Sequence, residues 1–219
     1  GMARKRGKAF SNVAIKRAQS MRLFVEPDER VDEAAVEALI DDHILYKNRN
    51  EYQFAPSHDI LEDWALVRHL SKLKADAPTI EDFFNQIGSQ PAFRRAFRLW
   101  VEDYLIEDAD AIVRIITSTI NNDTIEKYWI DEVLIAVFRS KDASPFFESF
   151  KADLLANNAF FLARCIMLTR TACKEYGFGT EKNKSILFPI GSVWRDLLVF
   201  IAENITALSS LRESIFMLL

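Results

Sequence analysis

The chain has 219 residues, 49% hydrophobic and 27% charged, which excludes a disordered segment and fits a globular protein with a sizeable core. Six glycines and six prolines stand where average usage of ~7% and ~5% gives roughly fifteen and eleven, which argues against a many-stranded β protein. A net charge of −4 advertises neither a nucleic-acid nor a membrane partner.

Gly1 ahead of Met2 looks like the residue left by tag cleavage, and residues 1–10 read as a basic tail. A helix is predicted from about Ser11 to Val25, with Ser11 as its cap and Val13, Ala14, Ala18, Met21 and Val25 on one stripe. Pro27 and Asp28 break it. A second helix is predicted from about Asp32 to Asp42, with Ala35, Leu39 and Ile40 as its apolar side. Charge is uneven here. Residues 1–25 carry seven basic groups and no acid, whereas residues 26–66 carry three basic and twelve acidic groups.

Ile44-Leu45-Tyr46-Lys47 and Glu51-Tyr52-Gln53-Phe54 flank the polar turn Asn48-Arg49-Asn50, as in a hairpin. Pro56 ends the second strand. Ser57 then stands as N-cap of a helix carrying Ile60, Leu61, Trp64, Ala65, Val67, Arg68 and Leu70. Residues 11–74 thus have the element order of a partial winged-helix-like unit with one β-hairpin. A full one would have another helix upstream.

After Lys74 only helical periods appear, near 79–87, 92–106, 109–120, 124–139, 144–156, 158–175, 190–204 and 207–219. Breaks are expected at Gly88, Asn121-Asn122, Ser144-Pro145, Asn157-Asn158, Gly177-Phe178-Gly179 and Pro189. Trp100, Trp129 and Trp194 each begin a similar segment with acids and an aliphatic residue following. Residues 75–219 therefore read as a helical array, either an α-solenoid of helix pairs or an irregular bundle. The fold class is mainly α. Cys165 and Cys173 lie about two turns apart on one helix, roughly 12 Å, which is too far to bridge and predicts buried free thiols in a cytoplasmic protein. No apolar run reaches the ~18 residues of a membrane span. The apolar end, Ser214 to Leu219, predicts that the natural protein continues and that the chain is a fragment.

Chemistry is sparse. His58 and His69 are three turns apart and cannot share a metal, and no Cys or His pair has zinc-ligand spacing. Gly177-Phe178-Gly179-Thr180, followed by Lys182 and Lys184, comes nearest to a phosphate-cradling loop. It lacks a third glycine and a preceding strand, and reads as a loop between helices. No enzyme signature and no metal site are expected.

Tyr52-Gln53-Phe54-Ala55-Pro56-Ser57-His58-Asp59-Ile60-Leu61-Glu62-Asp63-Trp64 is the informative stretch. It resembles the end of the winged-helix module of the STAND-class signal-transducing ATPases, which include NACHT and NB-ARC proteins. There a hairpin wing leads into a helix opened by a His-Asp pair, and a long helical region follows. Ser57 stands where the familiar Met-His-Asp signature has methionine. The resemblance implies that His58 contacts the terminal phosphate of ADP held by an upstream ATPase domain, with Asp59 beside it. It further implies that ATP and ADP belong to the parent protein and no cofactor to this chain. First-turn backbone N–H groups, where anions are welcome, make that placement reasonable. The chain is expected to be a non-catalytic sensor fragment whose partners are that ATPase domain and another protein, with no membrane partner. The alternative is a winged-helix DNA-binding regulator with a helical effector or dimerisation domain. Its recognition helix, Asp32 to Asp42, has five acids and no Lys or Arg, which makes nucleic acid an unfavourable partner.

Overall fold

Good helix formers fill the first positions of the chain, and α1 runs Met2–Ser20. The computed structural model describes residues 1–107, 109–120, 122, 124–178 and 185–216. They fall into two units, Gly1–Trp100 and Val101–Leu219.

Residues 1–10 are thus no tail but the first half of α1, and Ser11 lies inside the helix without capping it. Two features hold that half in place. Ala9 is buried in the core, and Lys5 and Arg6 form ion pairs with Asp32 and Asp42 of the following segment. α1 ends earlier than expected, at Met21, whose left-handed φ of 54° turns the chain. Val25 is then extended and exchanges both backbone hydrogen bonds with Phe54, at 3.0 and 2.8 Å.

α2 spans Glu33–Asp41, and the Asp32 carboxylate caps it by accepting the Ala35 N–H at 3.0 Å. β1, Leu45–Lys47, pairs antiparallel with β2, Phe54–Pro56, in the register Lys47 to Phe54. The second strand lies later than the expected 51–54, because Phe54 must pair with Val25 and Lys47 together. Residues 48–53 form the turn. Phe54 is fully buried among Ala9, Val13, Val25, Val36, Leu39 and Leu45. Burying such a side chain contributes about 1.5–3 kcal/mol.

α3 spans Asp59–Asp76, α4 Ile80–Ile87 and α5 Pro91–Glu107. Thr79 caps α4, its hydroxyl accepting the Asp82 N–H at 3.1 Å. The first unit extends past the expected boundary at residue 74. Phe83, Phe97 and Trp100 pack ring against ring with centroids 5.2–6.4 Å apart, and Phe93 lies 6.2 Å from His69 of α3.

The second unit contains α6 (Ala109–Ile120), α7 (Tyr128–Arg139), α8 (Ser144–Ser149), α9 (Lys151–Leu155) and α10 (Phe160–Ala172). A hairpin of β3 (Lys174–Phe178) and β4 (Ser185–Pro189) follows, then α11 (Val193–Glu203) and α12 (Arg212–Phe216). Its core gathers Trp129, Phe138, Phe146, Phe147 and Phe200, whereas Phe160 is 75% exposed. The thiols of Cys165 and Cys173 are free and buried, as expected. Element lengths do not repeat, and a hairpin interrupts the helices, so the three tryptophan segments are not equivalent. Trp129 is core, while Trp194 is half-buried and donates its indole N–H to the Cys173 carbonyl at 2.8 Å.

The second hairpin corrects the expectation of helices alone beyond residue 74. Its strands are short and carry Gly177, whose missing Cβ leaves room for the Phe188 ring: a Cβ there would stand 2.6 Å from it. A strand therefore does precede Gly179. Residues 179–184, with Thr180, Lys182 and Lys184, lie outside the described residues, as do Asn121 and residues 217–219 of the apolar end. Gly191, at φ 78°, brings its backbone against the Phe138 carbonyl, where a Cβ would lie at 2.2 Å. Among the described residues no helix is long and apolar enough to cross a membrane.

Truncating Phe54 to Ala should cost about 3–5 kcal/mol, read as a lower urea midpoint for the first unit. Burial pushes the Cys173 thiol up to about 11 and Cys165 higher still. Neither should react with a thiol reagent at pH 8 in the folded chain, and both should react after denaturation.

Candidate functional site

The backbone leaving β2 turns sharply into α3. The Ser57 N–H donates to the Ile44 carbonyl at 3.0 Å, which ties the entry to the hairpin's first strand. His58 then takes an extended conformation, φ −140° and ψ 134°, and is the residue at the N-cap position. Its carbonyl accepts the Leu61 and Glu62 N–H groups. Ser57 therefore does not cap the helix, contrary to expectation: it lies one residue too early, and its buried hydroxyl has no hydrogen-bond partner. No side chain caps α3.

His58 and Asp59 are both exposed. Among the described residues the imidazole forms no hydrogen bond, ion pair or ring contact, whereas Asp59 lies 3.8 Å from the Arg17 guanidinium. The hydrophobic residues that follow divide between two faces. Ala65, Leu66 and Leu70 are buried, but Ile60 is 57% and Trp64 62% exposed, one turn apart on the face left open. His58 stands at the helix start, two residues before the first of these two exposed apolar side chains.

Beneath them lies a charge network that sequence reasoning missed. Glu62 is 3% exposed, and its carboxylate accepts from the Arg17 guanidinium of α1 at 2.6 Å. Arg95 of α5 stands 3.7 Å from the same oxygen and donates to Asp63 at 2.7 Å. Burial holds the Glu62 carboxyl above the usual carboxylate range, with Arg17 and then Arg95 pulling it back. Met21, Leu23 and Pro91 help line an adjoining cleft of about 480 Å³, into which Arg17, Asp59 and Arg95 also face. Only a Glu among apolar positions on α3 hinted at this network. Its partners are 45 and 33 residues away along the chain, beyond the reach of any local pattern.

His69 sits half-buried near the other end of α3, so the fold keeps it apart from His58. Among the described residues no group of three or more His, Cys, Asp or Glu side chains is placed to hold a metal ion. In the second unit an apolar cleft of about 430 Å³ is lined by Val113, Ile116, Val137, Phe146 and Phe150. Arg139, at its edge, is already engaged by Glu175 at 2.9 Å and by the Ala172 carbonyl. Neither a protein-family model nor a curated protein matches the chain.

Glu62 gives a test by pH. Its folded value lies above the ordinary 4.5, so the folded state binds more protons, and the group's contribution to stability falls as pH rises from about 4.5 through that value. Glu62→Gln removes this dependence. The wild-type chain should therefore gain melting temperature relative to the variant as pH drops from 7 toward 5. The opposite trend would mean that pairing with Arg17 outweighs burial.

Proposed function

We propose that the chain is a non-catalytic regulatory part of a larger ATP-dependent signalling protein of the STAND class. In this reading the first unit is a winged-helix-like lever, and the second a helical scaffold for a protein partner. The order α1, Val25 bridge, α2, β1, β2 supports the lever, since an extended segment between two helices pairs with the second strand of the hairpin.

One observation carries the proposal. At the uncapped start of α3 His58 is exposed and has no partner among the described residues, and Ile60 and Trp64 of the same helix are exposed one turn apart. That combination suits docking against another domain, with the imidazole reaching a phosphate and the apolar pair sealing the contact. Arg17 and Arg95, by gripping Glu62 and Asp63, hold the first turns of α3 at a fixed angle, as a lever requires.

Without a phosphate-binding loop, this chain alone should show no micromolar ADP binding by calorimetry; such binding would overturn the reading. With the ATPase domain supplied in trans, His58→Ala should speed ADP release about 10–100-fold. That is the loss of one hydrogen bond to a charged group, about 1.5–3 kcal/mol. Trp64→Ala should weaken association of the two pieces without changing the melting temperature of this chain.

A further inference from the structure

Helical geometry splits the basic run at the start of the chain between two sides. Lys5 and Arg6 point to α2 and are taken up by Asp32 and Asp42, and Lys16 pairs with Asp28 at 2.7 Å. Arg4 and Lys8, one turn apart, line the groove on the other side and pair with no acid among the described residues. They face α3, which packs antiparallel to α1: Arg17 meets Glu62 at one end, and residues 4–8 meet residues 68–72 at the other. There α3 supplies Arg68 and Lys72, again one turn apart and with no ion pair among the described residues, and His69 between them.

The result is a groove of about 520 Å³ between α1 and α3, and no carboxylate lines it. Gly7 leaves its α1 wall bare, since a Cβ there would meet nothing within 4 Å. All four cations are exposed. His69 is half-buried, and burial, then the Lys72 charge, push its imidazole below the usual value.

We propose that this groove binds the phosphate backbone of duplex nucleic acid, without regard to sequence, at a site separate from His58. The cations form two rows with a spacing of about 6 Å within each row, which matches a line of phosphates better than a single anion. Among the described residues the walls carry one aromatic ring, that of His69, half-buried with Phe93 6.2 Å from it, so there is little platform for stacked bases and a single strand gains little over a duplex. Their apolar part is limited to small alanines and Ile15, too little for the apolar centre of a protein–protein contact. The acidic α2, which repels phosphate, lies across α1 from the groove. A duplex engaging Arg4, Lys8, Arg68 and Lys72 therefore need not meet it.

The test is fluorescence anisotropy of a short labelled duplex titrated with the whole chain at about 50 mM salt. Binding should be micromolar, equal for scrambled sequences, and should weaken with a log–log salt slope of about −3 to −4, as for four neutralised phosphates. Arg68→Gln/Lys72→Gln should reduce that slope by about 2 and the affinity at least tenfold. Lys5→Gln, on the α2 side, should change affinity less than about twofold, because its charge is already paired. Circular dichroism would establish that each variant folds. No binding up to about 100 μM protein overturns the proposal. So does binding that survives the double substitution, tighter binding of a single strand than of the duplex, or binding confined to anionic lipid vesicles.

Discussion

A carboxylate taken out of water must be met by a cation, and in the first unit that constraint falls on Glu62 and is met by Arg17, with Arg95 beside it. One group from each of α1, α3 and α5 is committed by this arrangement. It sets the antiparallel seam of α1 and α3, and both surfaces of interest lie along that seam. His58 opens α3 one turn before Glu62, and the basic groove begins where the seam runs on past Ala65. Removing either partner leaves an uncompensated buried charge, a more expensive state than the ion pair or an apolar replacement of both.

Hydrophobic period and turn residues made most helix bodies legible. Ile80–Ile87, Pro91–Glu107 and Ala109–Ile120 fall within one or two residues of expectation, because Thr79, Gly88 and Pro91 are strong local punctuation. The errors have physical causes. Helix α1 begins at Met2 because tertiary contacts through Ala9 and the acids near α2 hold a segment that composition alone reads as a tail. The hairpin of β3 and β4 was hidden because its strands hold exposed Tyr176, Ile186, Leu187 and Phe188, which break the half-buried alternation that marks a strand.

The candidate site was legible in a different way. The position of His58 and Asp59 at a helix start followed from the hairpin, Pro56 and the apolar positions after them. Their support was not legible, since Arg17 and Arg95 are brought in by the fold. Nor was the outward direction of Ile60 and Trp64 evident. Those residues fit a helix period, but burial on α3 follows Ala65, Leu66 and Leu70 along another stripe. The basic groove is also a product of packing. Four cations from two distant runs become neighbours only when their helices lie antiparallel.

The sorting of charge around α1 has a consequence for encounter kinetics. Acids gather toward α2 and unpaired cations toward α3, so the first unit, with 16 basic and 15 acidic groups, carries a transverse electric dipole that its near-zero net charge conceals. A dipole couples to the gradient and direction of a neighbour's field even when the monopole opposes approach. A charged body nearing this unit thus exerts a torque before it exerts a net pull, turning one flank forward and the other away. Orientation, not net charge, then governs which collisions become complexes.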